Sequence, residues 1–156
     1  MITISKSVIV NQPVDSVFAY VSNSEHDGEW STGTVTEVRK VSDGPLGVGT
    51  RFLNVHYFLG RRQEALMEVT AFEVPSRYSF DGKVGSGQVS VTFDFEPLDE
   101  GTRLKLSAQV ETAGMFTLAE PVVAVILGRK MTTDLNALKT LLESPGGPVN
   151  GPVGEA

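Results

Sequence analysis

Apolar and polar residues change period twice along this chain. Ile2 to Val10 is a run of strand length that ends at Asn11-Gln12-Pro13. Val14, Val17, Phe18 and Val21 then recur at helical spacing, which predicts a short amphipathic helix over Pro13 to Ser22. Pro13 suits the first helical position, where its missing N–H costs nothing, and Asp15 puts a carboxylate in the first turn, where the helix dipole favours it. The polar stretch Asn23 to Trp30 reads as one more helical turn or a loop.

From Thr34 the period becomes two. Strands are expected at Thr34 to Val41, Thr50 to Leu59, Arg62 to Val74, Arg77 to Lys83, Gln88 to Glu96 and Thr102 to Thr112, separated by Gly, Pro and Ser turns. The last two alternate cleanly. Val89, Val91, Phe93 and Phe95 oppose Ser90, Thr92, Asp94 and Glu96, and Leu104, Leu106, Ala108 and Val110 oppose charged and polar neighbours. One dry face and one wet face is the signature of an antiparallel sheet.

The period then returns to helical. Leu127, Met131, Leu135, Leu138 and Leu142 form one stripe, leaving Arg129, Lys130, Asp134 and Lys139 for water. Thr117 and Glu120 have capping-box spacing, and Pro121 follows, so the helix either starts there or is kinked early. Taken over Thr117 to Glu143 it would be roughly 40 Å long. A flat sheet edge does not need a helix of that length, whereas a sheet curled around it does. The expected fold is α+β, a helix-grip architecture: a seven-stranded curved antiparallel sheet around a long C-terminal helix, with short helices after strand 1. Residues 1–143 make one domain, and 144–156, rich in Gly, Pro and small residues, are expected to be a disordered tail.

Composition narrows the function classes. The chain has 156 residues, enough for a substantial core. A formal net charge of −6 gives no broad attraction to phosphate backbones or anionic lipid, so no nucleic-acid partner is expected, and Arg61-Arg62 is too small a basic patch to change that. There is no cysteine, which removes disulfides and thiolate chemistry. No apolar run suits a signal peptide or a membrane span, and the expected location is cytoplasmic, as a monomer or homodimer.

Four segments carry a resemblance. Ser7 to Phe18 joins the opening strand, a proline and a valine–aromatic pair; Gly47-Val48-Gly49-Thr50-Arg51-Phe52 is a turn into a strand; Glu68 to Phe80 is a strand–proline–strand hairpin; Asp134 to Lys139 ends the long helix. In this order the chain resembles the polyketide cyclase/dehydrase and lipid-transport superfamily, related to START domains and pollen-allergen folds. The resemblance spans Ile4 to Glu143 and implies an internal apolar ligand cavity. It does not imply one activity, because the superfamily includes cyclases, carriers and receptors.

Candidate chemistry is sparse. Nucleophile-elbow, zinc-helix and phosphate-loop motifs are missing, and the glycine clusters at 44–49 and 82–87 do not lead from strand to helix, so no cofactor is expected. His26 with Asp27 and Glu29 reads as a solvated polar loop, and no metal is expected. If Phe52 faces inward, as the resemblance implies, then Asn54, His56 and Phe58 do too; Leu53, Val55 and Tyr57 form the rival inward set. An inward His56 could exchange a proton with a carbon acid, with Asn54 or Tyr78 polarising a carbonyl. Expected ligand-binding residues are Trp30, Phe58, Met67, Val69, Tyr78, Phe80, Phe93, Phe95, Phe116, Val123 and Leu127. Trp30 reads as either a lid or a packed anchor, Ala119, Ala124 and Gly128 leave room beside the helix, and the loop Asp43 to Gly49 is a candidate gate. Three functions follow: binding or carriage of a hydrophobic small molecule such as a lipid, polyketide or aromatic metabolite; a cyclase or dehydratase using His56; and a protein-interaction domain with a vestigial cavity.

Overall fold

The computed structural model describes residues 1–31, 35–58, 60–84, 87–111 and 119–148. Among them, seven strands make one antiparallel sheet: β1 (Ile2–Val10), β2 (Val35–Lys40), β3 (Arg51–Phe58), β4 (Arg61–Glu73), β5 (Arg77–Val84), β6 (Gly87–Leu98) and β7 (Gly101–Glu111). Their order is β1-β7-β6-β5-β4-β3-β2, so every pairing is between chain neighbours except β1 with β7. Helix α1 (Val14–Val21) and a 3-10 turn (Ser24–Glu29) follow β1, and α2 (Glu120–Glu143) comes last. This is the helix-grip architecture that the two periodicities predict.

Register shifts between Val35 and Glu37 and between Val69 and Ala71 bend the sheet. On its wet face, Arg51 lies opposite Glu68 (3.1 Å) and Arg77 opposite Asp94 (2.8 Å), and Arg103 pairs with Glu96 in the same way. These pairs are half-exposed and each contributes only a few tenths of a kcal/mol, so they specify register more than they add stability.

Helix α1 begins at Val14, with Pro13 as the extended residue before it rather than inside the first turn; the Val17 N–H closes onto Pro13 O (3.1 Å). The fixed φ of proline suits both places. Val17, Phe18 and Val21 are buried as the spacing predicts, and Tyr20 joins them. Phe18 carries the helix onto the sheet, with its ring 5.4 Å from Phe72 and 5.0 Å from Phe95, both edge-on.

The described α2 starts at Glu120 with Ala119 as the cap residue, and Pro121 sits in its first turn; Thr117 lies outside the described residues. Its 24 residues span about 36 Å. The C-terminal half is buried through Leu135, Leu138 and Leu142. It is tied to the corner after β1: Asn11 N–H and Lys139 Nζ both donate to Glu143 Oε2 (2.6 Å each), and Lys139 Nζ also reaches Ile9 O (2.7 Å). Lys139 first, then the Asn11 N–H, hold the Glu143 carboxyl below its usual range. The N-terminal half is different, with Val122, Val125 and Ile126 exposed. After α2, Ser144 to Gly147 form a turn closed by Gly147 N–H to Ser144 O (2.9 Å); residues 149–156 lie outside the described set.

Candidate ligand cavity

Side chains on the dry face of the sheet shrink in one direction along β6 and β5, and β4 ends small at the same side. On β6 the series runs Phe95, Phe93, Val91, Val89; on β5, Tyr78, Phe80, Gly82; on β4, Val69, Met67, Ala65. Pairing aligns the small ends, because Gly82 lies opposite Met67 on one side and Val89 on the other. The large ends pack solidly: Phe93 touches Tyr78, Phe95 and Trp30 with ring centroids 6.2, 6.5 and 6.2 Å apart. The small ends leave a cavity of about 320 Å³, within the size range of small-molecule sites. Gly82 helps to keep it open, since a Cβ there would come 3.1 Å from Met67 Cγ and push into the wall.

The cavity wall is Val35, Ala65, Met67, Phe80, Gly82 and Val89, broken by four polar side chains, Ser31, Asn54, His56 and Lys130. Strand β3 contributes the amide and imidazole. Phe52 is fully buried, and alternation therefore carries Asn54 and His56 onto the same face, while Tyr57 points out at 49 % exposure. His56 Nδ1 and Asn54 Oδ1 lie 3.3 Å apart, which orients the ring. The loop after the 3-10 turn contributes Ser31, and the middle of α2 contributes Lys130.

Of the ligand-binding residues expected from sequence, Met67 and Phe80 line this cavity. Val69, Tyr78, Phe93, Phe95 and Trp30 are instead fully packed core, because the cavity begins only where the wall residues become small. Trp30 is a packed anchor at 4 % exposure, and its buried Nε1 has no hydrogen-bond partner among the described residues. Val123 and Leu127 are half-buried on α2 and do not line the cavity. Phe116 and the side chain of Phe58 lie outside the described residues. The loop from Asp43 to Gly49 does not line the cavity either, and is tied down by Gly47 N–H to Thr50 Oγ1 (3.0 Å) and Gly49 N–H to Val69 O (2.9 Å).

Two expectations for α2 are corrected. Lys130 and Asp134 do not belong to the water face: Asp134 is buried, and Lys130 lines the cavity. Their mutual ion pair at 2.5 Å, with Ser31 Oγ donating to Asp134 Oδ2 at 3.3 Å, makes that burial tolerable. Ala124 and Gly128 open a different space, a groove against Ile4 and Lys6 of β1, with Gly128 close enough that a Cβ would lie 3.4 Å from Lys6 Cε.

The hydroxyl of Tyr78 is taken by Ser24 Oγ and is not presented to the cavity. Burial pushes it well above the usual phenol range, with the nearby Asp27 charge adding to the shift, so it stays neutral. The 3-10 turn is not the solvated loop its polarity suggests. His26 stacks on Tyr20 at 4.3 Å and its Nδ1 lies 2.8 Å from Tyr20 O, while Asp27 is buried. Among the described residues no group of three His, Asp or Glu side chains is placed to hold a metal.

Burial raises the Asp27 carboxyl well above its usual range. A raised folded-state pKa means the acid's contribution to stability is complete below the ordinary carboxylate range and is lost as pH rises through the folded value. Asp27→Asn is therefore expected to match the wild type near pH 4 and to be the more stable protein by about pH 8. Urea unfolding of both proteins across that range checks it; a difference that does not grow with pH defeats the assignment.

The profile of the family described as "Polyketide cyclase / dehydrase and lipid transport" matches residues 1–143. No curated protein sequence matches the chain. Among solved structures, TTHA0849 from Thermus thermophilus is similar, at 21 % identity over 88 % of this chain and 94 % of its own, with a TM-score of 0.72. The Zhui aromatase/cyclase from Streptomyces sp. R1128 is similar at 16 % identity over 93 % and 98 %, TM-score 0.71. Ara h 8.0201 is similar at 18 % identity over 87 % and 97 %, TM-score 0.61. At these identities the likeness is one of fold. No helix among the described residues is long and apolar enough to cross a membrane.

Proposed function

The chain belongs to the polyketide cyclase/dehydrase and lipid transport family, and from that premise we propose that it binds a small hydrophobic molecule in the cavity between β2–β6 and α2. The observation that carries this is the aligned taper of the sheet. A core built only for stability would fill the small ends, because unfilled space costs about 24 cal/mol per Å³. Here Gly82 and Val89, paired across β5 and β6, and Ala65 one inward position beyond Met67 on β4, leave it unfilled, and four polar side chains sit where a ligand's heteroatoms would be read.

One feature favours a second reading, a cyclase or dehydratase. The contact between His56 Nδ1 and Asn54 Oδ1 fixes the imidazole with Nε2 as the remaining nitrogen, which suits it to take a proton from a carbon acid. On this reading His56→Ala abolishes turnover and leaves ligand affinity within a few-fold. On the binding reading, no turnover exists and only affinity responds.

The test is native mass spectrometry of protein purified from its own host, followed by organic extraction. A stoichiometric apolar passenger is the expected result. An empty protein whose melting temperature is also unmoved by a panel of fatty acids and aromatic polyketides would defeat the proposal and return weight to the protein-interaction reading.

A further inference from the structure

We infer that the ligand is an acid: an apolar molecule carrying one carboxylate or comparable oxyanion, seated at the Lys130 ammonium beside Ser31. This rests on the cavity being a ligand site and adds the chemical class.

The first argument is charge. The chain has 19 acidic and 13 basic side chains, yet the cavity is lined by one lysine and by no carboxylate. Asp134 balances that charge from outside the cavity wall, so it is the ammonium and not the carboxylate that is presented to a ligand.

The second argument is the hydrogen-bond inventory. An ammonium is three donors and no acceptor. Lys130 Nζ donates to Asp134 Oδ2 at 2.5 Å and reaches Ser31 Oγ at 3.4 Å, which leaves a third N–H without a partner among the described residues. Across the cavity, the Asn54 oxygen faces His56 Nδ1, so its amide N–H₂ remains for a ligand. The Lys130 N–H and the Asn54 N–H₂ are donors that an acceptor-only carboxylate or oxyanion can meet, with His56 Nε2 an acceptor beside them.

The third argument is placement. Asp134 is 6 % exposed, and with Ser31 it clamps the ammonium from behind. A lysine head held this way loses the freedom to swing into water, and a charge-assisted hydrogen bond to it costs the ligand little ordering. The pairing also rules out the lysine as a waiting nucleophile, because imine formation needs a free amine and this one is engaged by a carboxylate.

The experiment uses matched acid and methyl-ester pairs, 2-naphthoate, cinnamate and decanoate, titrated calorimetrically into the full chain near neutral pH. For the pair that fits best, the acid is expected to bind about tenfold tighter than its ester, or more. Lys130→Gln should bring the acid down to the ester's affinity and leave the ester unchanged, while Lys130→Arg should preserve the preference. Asp134→Asn should tighten the acid, since it removes the competing carboxylate. Esters that bind the wild type as well as their acids would overturn the inference while leaving the cavity proposal standing, and need no variant to fold. Loss of acid and ester alike in Lys130→Gln would overturn it too. If no acid and no ester binds, the ligand-site reading fails and this inference fails with it.

Discussion

Phe93→Ala is expected to lose about 3–5 kcal/mol of folding stability, the range for deleting a buried phenylalanine. The ring is 2 % exposed and is the common neighbour of Trp30, Tyr78 and Phe95. Three separate elements converge on it: the 3-10 turn's exit, β5 and β6. The hole left by truncation cannot collapse easily, because Tyr78 is held by its bond to Ser24 and Phe95 by its packing against Phe18. Against a typical total of about 5–15 kcal/mol, such a loss leaves the fold marginal. Urea midpoints for wild type and variant, compared at equal slope, measure it. A loss below about 1 kcal/mol would mean the aromatic cluster is looser than its geometry implies.

The largest functional effect is expected from closing the cavity rather than from removing a polar group. Val89→Trp places an indole into a space of about 320 Å³ from the strand that ends the taper. Val89 is only half-buried and faces Gly82, so the larger ring has somewhere to go without displacing the Phe93 cluster. Affinity for any cavity ligand should fall by about 100-fold or more, whatever its head group, while the urea midpoint stays close to that of the wild type. The variant also separates the cavity from the groove between β1 and α2, which it does not touch. Undiminished binding in Val89→Trp would move the ligand site out of the sheet's concave face.

Much of this was legible in the chain. Period-two segments between Gly and Pro turns, followed by a four-four-three-four leucine stripe, are enough for a curved sheet gripped by a helix. The taper is also written there, as Phe95-Phe93-Val91-Val89 and Tyr78-Phe80-Gly82, but it reads as a cavity only once neighbouring strands are in register. Of the aromatic residues expected at the ligand, Trp30, Tyr78, Phe93 and Phe95 pack in the core and Phe80 lines the cavity. The cavity is marked instead by the small residues Ala65, Gly82 and Val89, whose size carries no signal until the strands are paired.

What the sequence alone could not decide falls into three cases with one physical cause. Alternation on β3 defines two sets, Asn54 with His56 or Val55 with Tyr57, and only the tertiary structure, which buries Phe52 completely and puts Asn54 and His56 in the cavity wall, says which set faces the cavity. On α2, Lys130 and Asp134 sit at the edge of the apolar stripe, three and seven residues after Leu127; polarity alone assigns them to water. They turn inward because Ser31, about a hundred residues earlier, meets them there. The Tyr78 hydroxyl is open to a catalytic reading in the sequence, and Ser24, 54 residues away in the chain, engages it in the fold. Local spacing determines which elements form and which of their faces are dry. The partner that satisfies a buried polar group comes from elsewhere in the chain, so tertiary packing decided where this protein's chemistry lies.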